Sequence, residues 1–149
     1  MNKIKLYEEN IMEHYRNPKN FGVLDKYDCT FHDSNPLCGD EIDIYFNIES
    51  SQNLENKDLK INELKFKGTG CVISIASSSM LFENIKGKTI SEIASIKNEE
   101  VLKSIGTEVS VSRVKCALLG LFTLKKAIAH YAAANKINIQ SNEVKKEIK

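Results

Sequence analysis

Cys38, Cys71 and Cys116 are the residues best suited to do chemistry, with Asp40 two positions beyond the first. Thiolates are soft metal ligands and strong sulfur nucleophiles. Cys38 lies in Asn35-Pro-Leu-Cys-Gly-Asp40, where proline and glycine bracket the thiol and fix its exposure. Cys71 follows Gly68-Thr-Gly70, which allows a tight turn or a close approach of another group. Behind it, Val72 to Met80 has apolar residues at helical spacing, so Cys71 is expected in a helix's first turn. There the unpaired N–H groups and the dipole favour an anion, and a thiol loses its proton more easily. Cys116 falls near the start of another helix. Three thiolates at one edge of a fold would suit zinc or an iron–sulfur cluster. Asp40 can add an oxygen as fourth ligand. A Cys₃Asp set fits tetrahedral zinc, with Zn–S near ~2.3 Å. It fits a labile [2Fe–2S] cluster as well, because one oxygen holds iron less firmly than a thiolate. No CxxC pair is present, so spacing alone is weak support for a metal.

The elements that must position these residues follow from periodicity. Ile4 to Arg16 is predicted as a helix with Ile4, Tyr7, Ile11 and His14 on one face, ended by Asn17-Pro18. Tyr27 to His32 alternates as a strand, with Tyr27, Cys29 and Phe31 on its apolar side. Ile42 to Ile48 and Ile61 to Lys67 give two more strands, with a polar loop over 50–58. Three strands with short links predict an antiparallel meander with one covered face. A second helix runs from Val72 to about Ile85, and the small residues Ala76 to Ser79 leave room for something to pack closely over it. Thr89-Ile-Ser-Glu92 has capping-box form. Asn98 opens another short helix that Gly106 closes, and a long helix spans about 112–135 with Val114, Leu118, Leu121, Phe122, Ile128 and Ala132 inward. Cys29 is expected as core filler, His14 as a half-buried face residue, and His32 and His130 as solvated.

The 149 residues suit one domain with a real core, expected over 1–139, followed by a polar, frayed tail at 140–149. A net charge of +1 gives no argument for nucleic acid or an anionic membrane. No apolar run approaches the ~18 residues of a membrane-spanning helix. Met1 to Glu9 lacks the apolar core of a signal peptide, so a cytoplasmic protein with reduced thiols is expected.

Four blocks, taken together, are specific: Ile11-Met-Glu-His-Tyr-Arg-Asn-Pro-Lys-Asn20, Asn35-Pro-Leu-Cys-Gly-Asp40, Gly70-Cys-Val-Ile-Ser-Ile-Ala-Ser-Ser-Ser-Met80 and Arg113-Val-Lys-Cys-Ala-Leu118. In this order they closely resemble the IscU/SufU scaffold family, which is also found as the N-terminal domain of NifU. The resemblance covers roughly residues 5 to 135. It implies an α+β fold, a three-stranded antiparallel sheet with helices packed on one face. It implies a part in building iron–sulfur clusters, with sulfur delivered as persulfide by a cysteine desulfurase and the cluster passed to apo acceptor proteins. The family's ligand cysteines match Cys38, Cys71 and Cys116, and its site aspartate matches Asp40.

Two departures bear on mechanism. Lys115 stands where IscU proteins have histidine, and Arg113-x-Lys115-Cys116 is the SufU pattern, although the segment from Cys71 to Cys116 is too short for the SufU insertion. Lys115 is a poor ligand but a suitable charged neighbour for a thiolate or persulfide. The Leu-Pro-Pro-Val-Lys element that engages an Hsp70 chaperone is replaced by Val109-Ser-Val-Ser-Arg113, which counts against chaperone-driven transfer. The first functional reading is therefore a non-enzymatic scaffold holding a transient [2Fe–2S] cluster on Cys38, Asp40, Cys71 and Cys116, as a monomer or weak homo-oligomer. The alternative is a zinc-dependent sulfurtransferase relaying persulfide sulfur to another scaffold. A purely structural zinc protein ranks last, since structural sites are closed and rich in Cys and His.

Overall fold

The computed structural model describes residues 3–36, 39–49, 59–106 and 108–135. Helix α1 (Lys3–Arg16) is followed by strands β1 (Cys29–Asn35), β2 (Asp40–Ile48) and β3 (Ile61–Thr69). Helices α2 (Val72–Glu83), α3 (Ile90–Ala94), α4 (Asn98–Ile105) and α5 (Val114–Ala134) complete the order, with one 3₁₀ turn (Val111–Arg113) leading into α5. The strands form an antiparallel sheet in the order β1-β2-β3, the meander expected from the alternation.

One face of the sheet is apolar. Asp40, Ile42, Ile44 and Phe46 point inward along β2, while Glu41 between them is exposed. On β3 the inward residues are Ile61, Leu64 and Phe66, a step of three and then two. The pairing shifts between Asn47 and Ile48, and that bulge restores the alternation. Cys29 joins this core, its thiol donating to the Ala127 carbonyl at 3.6 Å. Burial, and secondly the charge of Asp28, pushes that thiol up to about 11, so it is the inert filler expected. The strand begins two residues later than the alternation suggests. Tyr27 lies outside it, 46% exposed, with its ring against Tyr45 on the sheet's outer face.

Helix α5 is buried nearly all round, from Cys116 to Leu121 and again from Thr123 to Lys125 and Ala127 to Ala129. Of its expected stripe, Leu118, Leu121, Ile128 and Ala132 are buried, whereas Val114 and Phe122 are only partly covered. Helix α2 presents Ser74, Ala76, Ser77, Ser78 and Ser79 to the interior, as the lack of bulk there suggested. The close partner is α5: a Cβ on Gly120 would lie 2.5 Å from Ser78 Oγ and 3.3 Å from Ser78 Cα. The small-residue face thus lets the two helices that carry Cys71 and Cys116 cross tightly.

Helix α1 is tied to α2 by polar contacts. The Lys19 N–H donates to Ser79 Oγ at 2.7 Å, and His14 Nδ1 shares a hydrogen bond with the same hydroxyl, also at 2.7 Å. His14 is more buried than a half-exposed face residue, at 8%. His32 pairs with Asp43 at 2.8 Å and His130 is exposed. The Thr89–Glu92 capping box forms, and Gly106 ends α4 in the left-handed conformation. The expected loop over 50–58 and tail over 140–149 lie outside the described residues, as do Leu37 and Cys38. Among the described residues, no helix is long and apolar enough to cross a membrane.

Candidate metal centre

Strand register brings the first two donors together. Asn35 pairs with Asp40 across the β1–β2 turn, where Gly39 takes a φ of 71° and its N–H donates to the Asn35 carbonyl at 2.9 Å. Glu41 pairs with Thr69, so Asp40 stands beside Gly70 and the start of α2. Gly70 is what permits the approach. A Cβ there would sit 2.8 Å from Asp40 Oδ1 and 2.5 Å from Ser74 Oγ, closer than real contacts allow.

Cys71 is the N-cap residue of α2 rather than a member of its first turn. Its extended backbone (φ −75°, ψ 168°) turns the strand end into the helix. The Cys71 carbonyl accepts the first helical bond from Ile75 N–H at 3.2 Å and another from Ser74 Oγ at 3.1 Å. Its N–H donates to Asp40 Oδ1 at 3.1 Å, and its thiol reaches Asp40 Oδ2 at 3.8 Å. One carboxylate therefore fixes both ends of the cysteine.

Cys116 comes from the first turn of α5 and is fully buried. One ligand atom from each of Asp40, Cys71 and Cys116 lies within 4.8 Å of the other two. Tetrahedral bonds of ~2.3 Å to sulfur place neighbouring donors about 3.8 Å apart, so small side-chain rotations suffice to close on a metal ion. The donor chemistry, two sulfurs and one oxygen, fits zinc or iron equally. Asp40 and Cys116 are buried while Cys71 is half-buried, so the centre opens to solvent past Cys71. Of the four expected ligands, the structure brings three together. Cys38 lies outside the described residues.

The charge beside the thiols is Arg113, which the sequence reading did not single out. Cys71 first, and Cys116 after it, hold its protonated form more firmly than in an ordinary arginine. Arg113 closes the 3₁₀ turn before α5, three positions ahead of Cys116. That offset is a readable signal, since residues three apart share a helix face. Lys115, the neighbour expected from the sequence, is exposed and lines a groove of about 270 Å³ with Pro36, Leu119, Phe122 and Lys126. In that groove Lys126 pairs with Asp33 at 3.0 Å.

Comparison with known proteins agrees with this architecture. A Drosophila melanogaster protein named iron-sulfur cluster assembly enzyme IscU is 36% identical over 131 residues, spanning 86% of this chain and 79% of that protein. The iron-sulfur cluster assembly scaffold protein IscU of Haemophilus influenzae is 35% identical over 130 residues, spanning 85% and 96%. Among solved structures, a candidate iron-sulfur cluster assembly scaffold protein for the SUF system from Fervidobacterium islandicum superposes with a TM-score of 0.62 at 29% identity, over 80% of this chain and 94% of that one. The NifU-like N terminal domain matches residues 6–138, nearly the whole chain, and the resemblance read from the four sequence blocks holds: this protein belongs to the NifU-like N-terminal domain family.

Proposed function

We propose that this chain is an iron–sulfur cluster assembly scaffold that receives sulfur from a cysteine desulfurase, builds a transient [2Fe–2S] cluster and passes it to apo acceptor proteins. The observation that carries the reading is the convergence of Asp40, Cys71 and Cys116 within 4.8 Å from three separate parts of the fold. With Cys38 as the fourth ligand, the set is Cys38, Asp40, Cys71 and Cys116. Two features favour exchange over storage. An oxygen donor binds iron less firmly than a thiolate would. Past the half-buried Cys71 the centre is open to solvent. Zinc fits the same donors and is expected to compete for them when iron and sulfide are scarce. Cys29 and Cys71 carry free thiols, which suits a reducing cytoplasm.

Reconstitution tests this. Apo-protein is incubated anaerobically with a cysteine desulfurase, cysteine and ferrous iron, and the visible spectrum is followed. A [2Fe–2S] chromophore that later moves to an apo-ferredoxin is the expected result. Desulfurase turnover that requires zinc, with no chromophore on this chain, would replace the scaffold with a sulfurtransferase.

A further inference from the structure

We propose that the groove between α5 and the end of β1 is a docking site for an acidic peptide segment of a partner protein, which seats one apolar side chain on Leu119 and Phe122 and sets a neighbouring carboxylate against Lys115. The inference goes beyond cluster assembly and stands on the groove alone.

The groove follows from helical spacing. Lys115, Leu119, Phe122 and Lys126 lie at intervals of four, three and four residues, so one stripe of α5 carries all of them. Across from it stand Asp33 to Asn35 at the end of β1, with Pro36 just beyond. The surface offered to an occupant is largely apolar: Leu119, the half-buried ring of Phe122, and Pro36 as a rigid wall.

Charge decides the sign of the occupant. Lys126 is already neutralised, its ammonium pairing with Asp33 Oδ2 at 3.0 Å, while the Ser34 N–H donates to Asp33 Oδ1 at 2.9 Å. Asp33 is thus engaged at both oxygens and opposes an arriving anion only weakly. Lys115 is exposed and, among the described residues, has no carboxylate within ion-pair distance. Two lysines against one aspartate leave the groove one positive charge, at its Lys115 end. The complementary occupant has an apolar body and one carboxylate.

Size decides between a metabolite and a protein. The cavity of about 270 Å³ is smaller than the ~300–1,000 Å³ of small-molecule sites, and it holds one free cation in place of several converging polar groups. That suits a single large side chain whose parent protein makes its other contacts outside the groove, the form of an interface anchor. The position gives docking a consequence. Asn35 is the cross-strand partner of Asp40, and Lys115 directly precedes Cys116, so a partner seated here touches two segments of chain that lead to the proposed ligands.

The test is a nitrogen-15 NMR titration of the full-length protein with three blocked tetrapeptides: acetyl-Ser-Phe-Glu-Ser-amide, the same with Gln for Glu, and the same with Ala for Phe. The first should shift the amides of Ser34, Asn35, Lys115, Leu119, Phe122 and Lys126. The Gln peptide should bind about threefold more weakly, the effect of one exposed ion pair. The Ala peptide should bind about tenfold more weakly, for the apolar area that the ring covers. Lys115→Gln should bring the Glu peptide down to the affinity of the Gln peptide and leave the Gln peptide unchanged, while Lys115→Arg keeps the preference. Because Lys115 is exposed, both variants should melt as the wild type does. Phe122→Ala should weaken the Glu and Gln peptides alike. Equal binding of those two to the wild type, shifts confined to another face, or no shift at several millimolar peptide overturns the proposal. Two further results overturn it by naming another occupant. If 3-phenylpropionate binds more tightly than the Glu peptide, the groove is a metabolite site. If the same amides shift with protein concentration alone, a second copy of this chain covers it. Cluster formation enters none of these measurements, so failure of the scaffold reading leaves them untouched, and their failure leaves the scaffold standing.

Discussion

Gly70→Ala is a sharp test of the centre, because it adds one methyl group and replaces no proposed ligand. The Gly70 backbone lies outside the left-handed region, so alanine brings no conformational strain, only bulk. Its Cβ would stand 2.8 Å from Asp40 Oδ1 and 3.0 Å from Asp40 Cγ, against an ordinary contact of 3.4–4 Å. Relief requires the carboxyl to retreat by about 0.6 Å. The Cys71 N–H to Asp40 Oδ1 bond, now 3.1 Å, then stretches beyond useful hydrogen-bond length. Displacing a group that orients a metal site typically lowers affinity about 10- to 100-fold. Overpacking of this kind costs roughly 1–3 kcal/mol of stability. Affinity is measured by zinc titration against a chromophoric chelator, with a thermal melt in parallel. The double variant Gly70→Ala with Ser74→Ala removes the second clash, with Ser74 Oγ at 2.5 Å, and should recover stability but not affinity. Wild-type zinc affinity in Gly70→Ala would show that the position of Asp40 is irrelevant to metal binding, and the oxygen ligand would have to be abandoned.

Cys38→Ser, Cys71→Ser and Cys116→Ser should each abolish retention of iron or zinc, measured by metal analysis after desalting, while Cys29→Ser should retain it. Full retention in all three of the first set would remove the proposed ligand set. Asp40→Ala should slow cluster transfer to an apo-ferredoxin more than it weakens binding, and faster loss would contradict the account of the oxygen donor. The raised Cys29 thiol predicts a pH effect on stability. Ionisation is opposed more in the folded chain, where the value is about 11, than in the unfolded chain at 9.0. The resulting stability is full below pH 9 and is lost as pH rises through about 11. Melting temperature should therefore fall across that window in the wild type and fall less in Cys29→Ala. Ser79→Ala removes the hydroxyl shared by Lys19 N–H and His14, and should cost about 1–3 kcal/mol in chemical denaturation.

The fold was legible where local chemistry is strong. Alternation in Ile42 to Phe46, the Thr89–Glu92 capping box and Gly106 each act within a few residues, and each element formed where its residues indicated. Boundaries were less legible. Tyr27 continues the alternation of Cys29 and Phe31 on paper, yet the pairing with β2 begins at Cys29, because Phe46 opposite it is where inward alternation ends on the partner strand. Nor does alternation reveal a bulge, so the step from Ile61 to Leu64 needed the register of β2 to explain it. The site shows the same division. The identities of Asp40, Cys71 and Cys116 came from composition and from the family resemblance, whereas their meeting depends on the Glu41–Thr69 register and on Gly120 against Ser78.

That dependence explains why Arg113 rather than Lys115 stands at the thiols. Both residues precede Cys116, and in a linear reading the nearer one looks like the neighbour. Once Cys116 is placed on the first turn of α5, however, the adjacent residue points about 100° away around the helix, and the residue three positions back returns to the same side. Lys115 consequently lines the groove with Leu119 and Phe122, four and seven positions on, which share its side of the helix. The sequence motif supplies two cations, and helical geometry divides them. One feels the charge of the sulfurs, and the other faces a groove beside Pro36. If this division is right, the rate at which anionic iodoacetate alkylates Cys71, relative to neutral iodoacetamide, should fall in Arg113→Gln and stay unchanged in Lys115→Gln. A fall as large in Lys115→Gln would mean that the charge at the thiols is shared and that the helix face does not decide it.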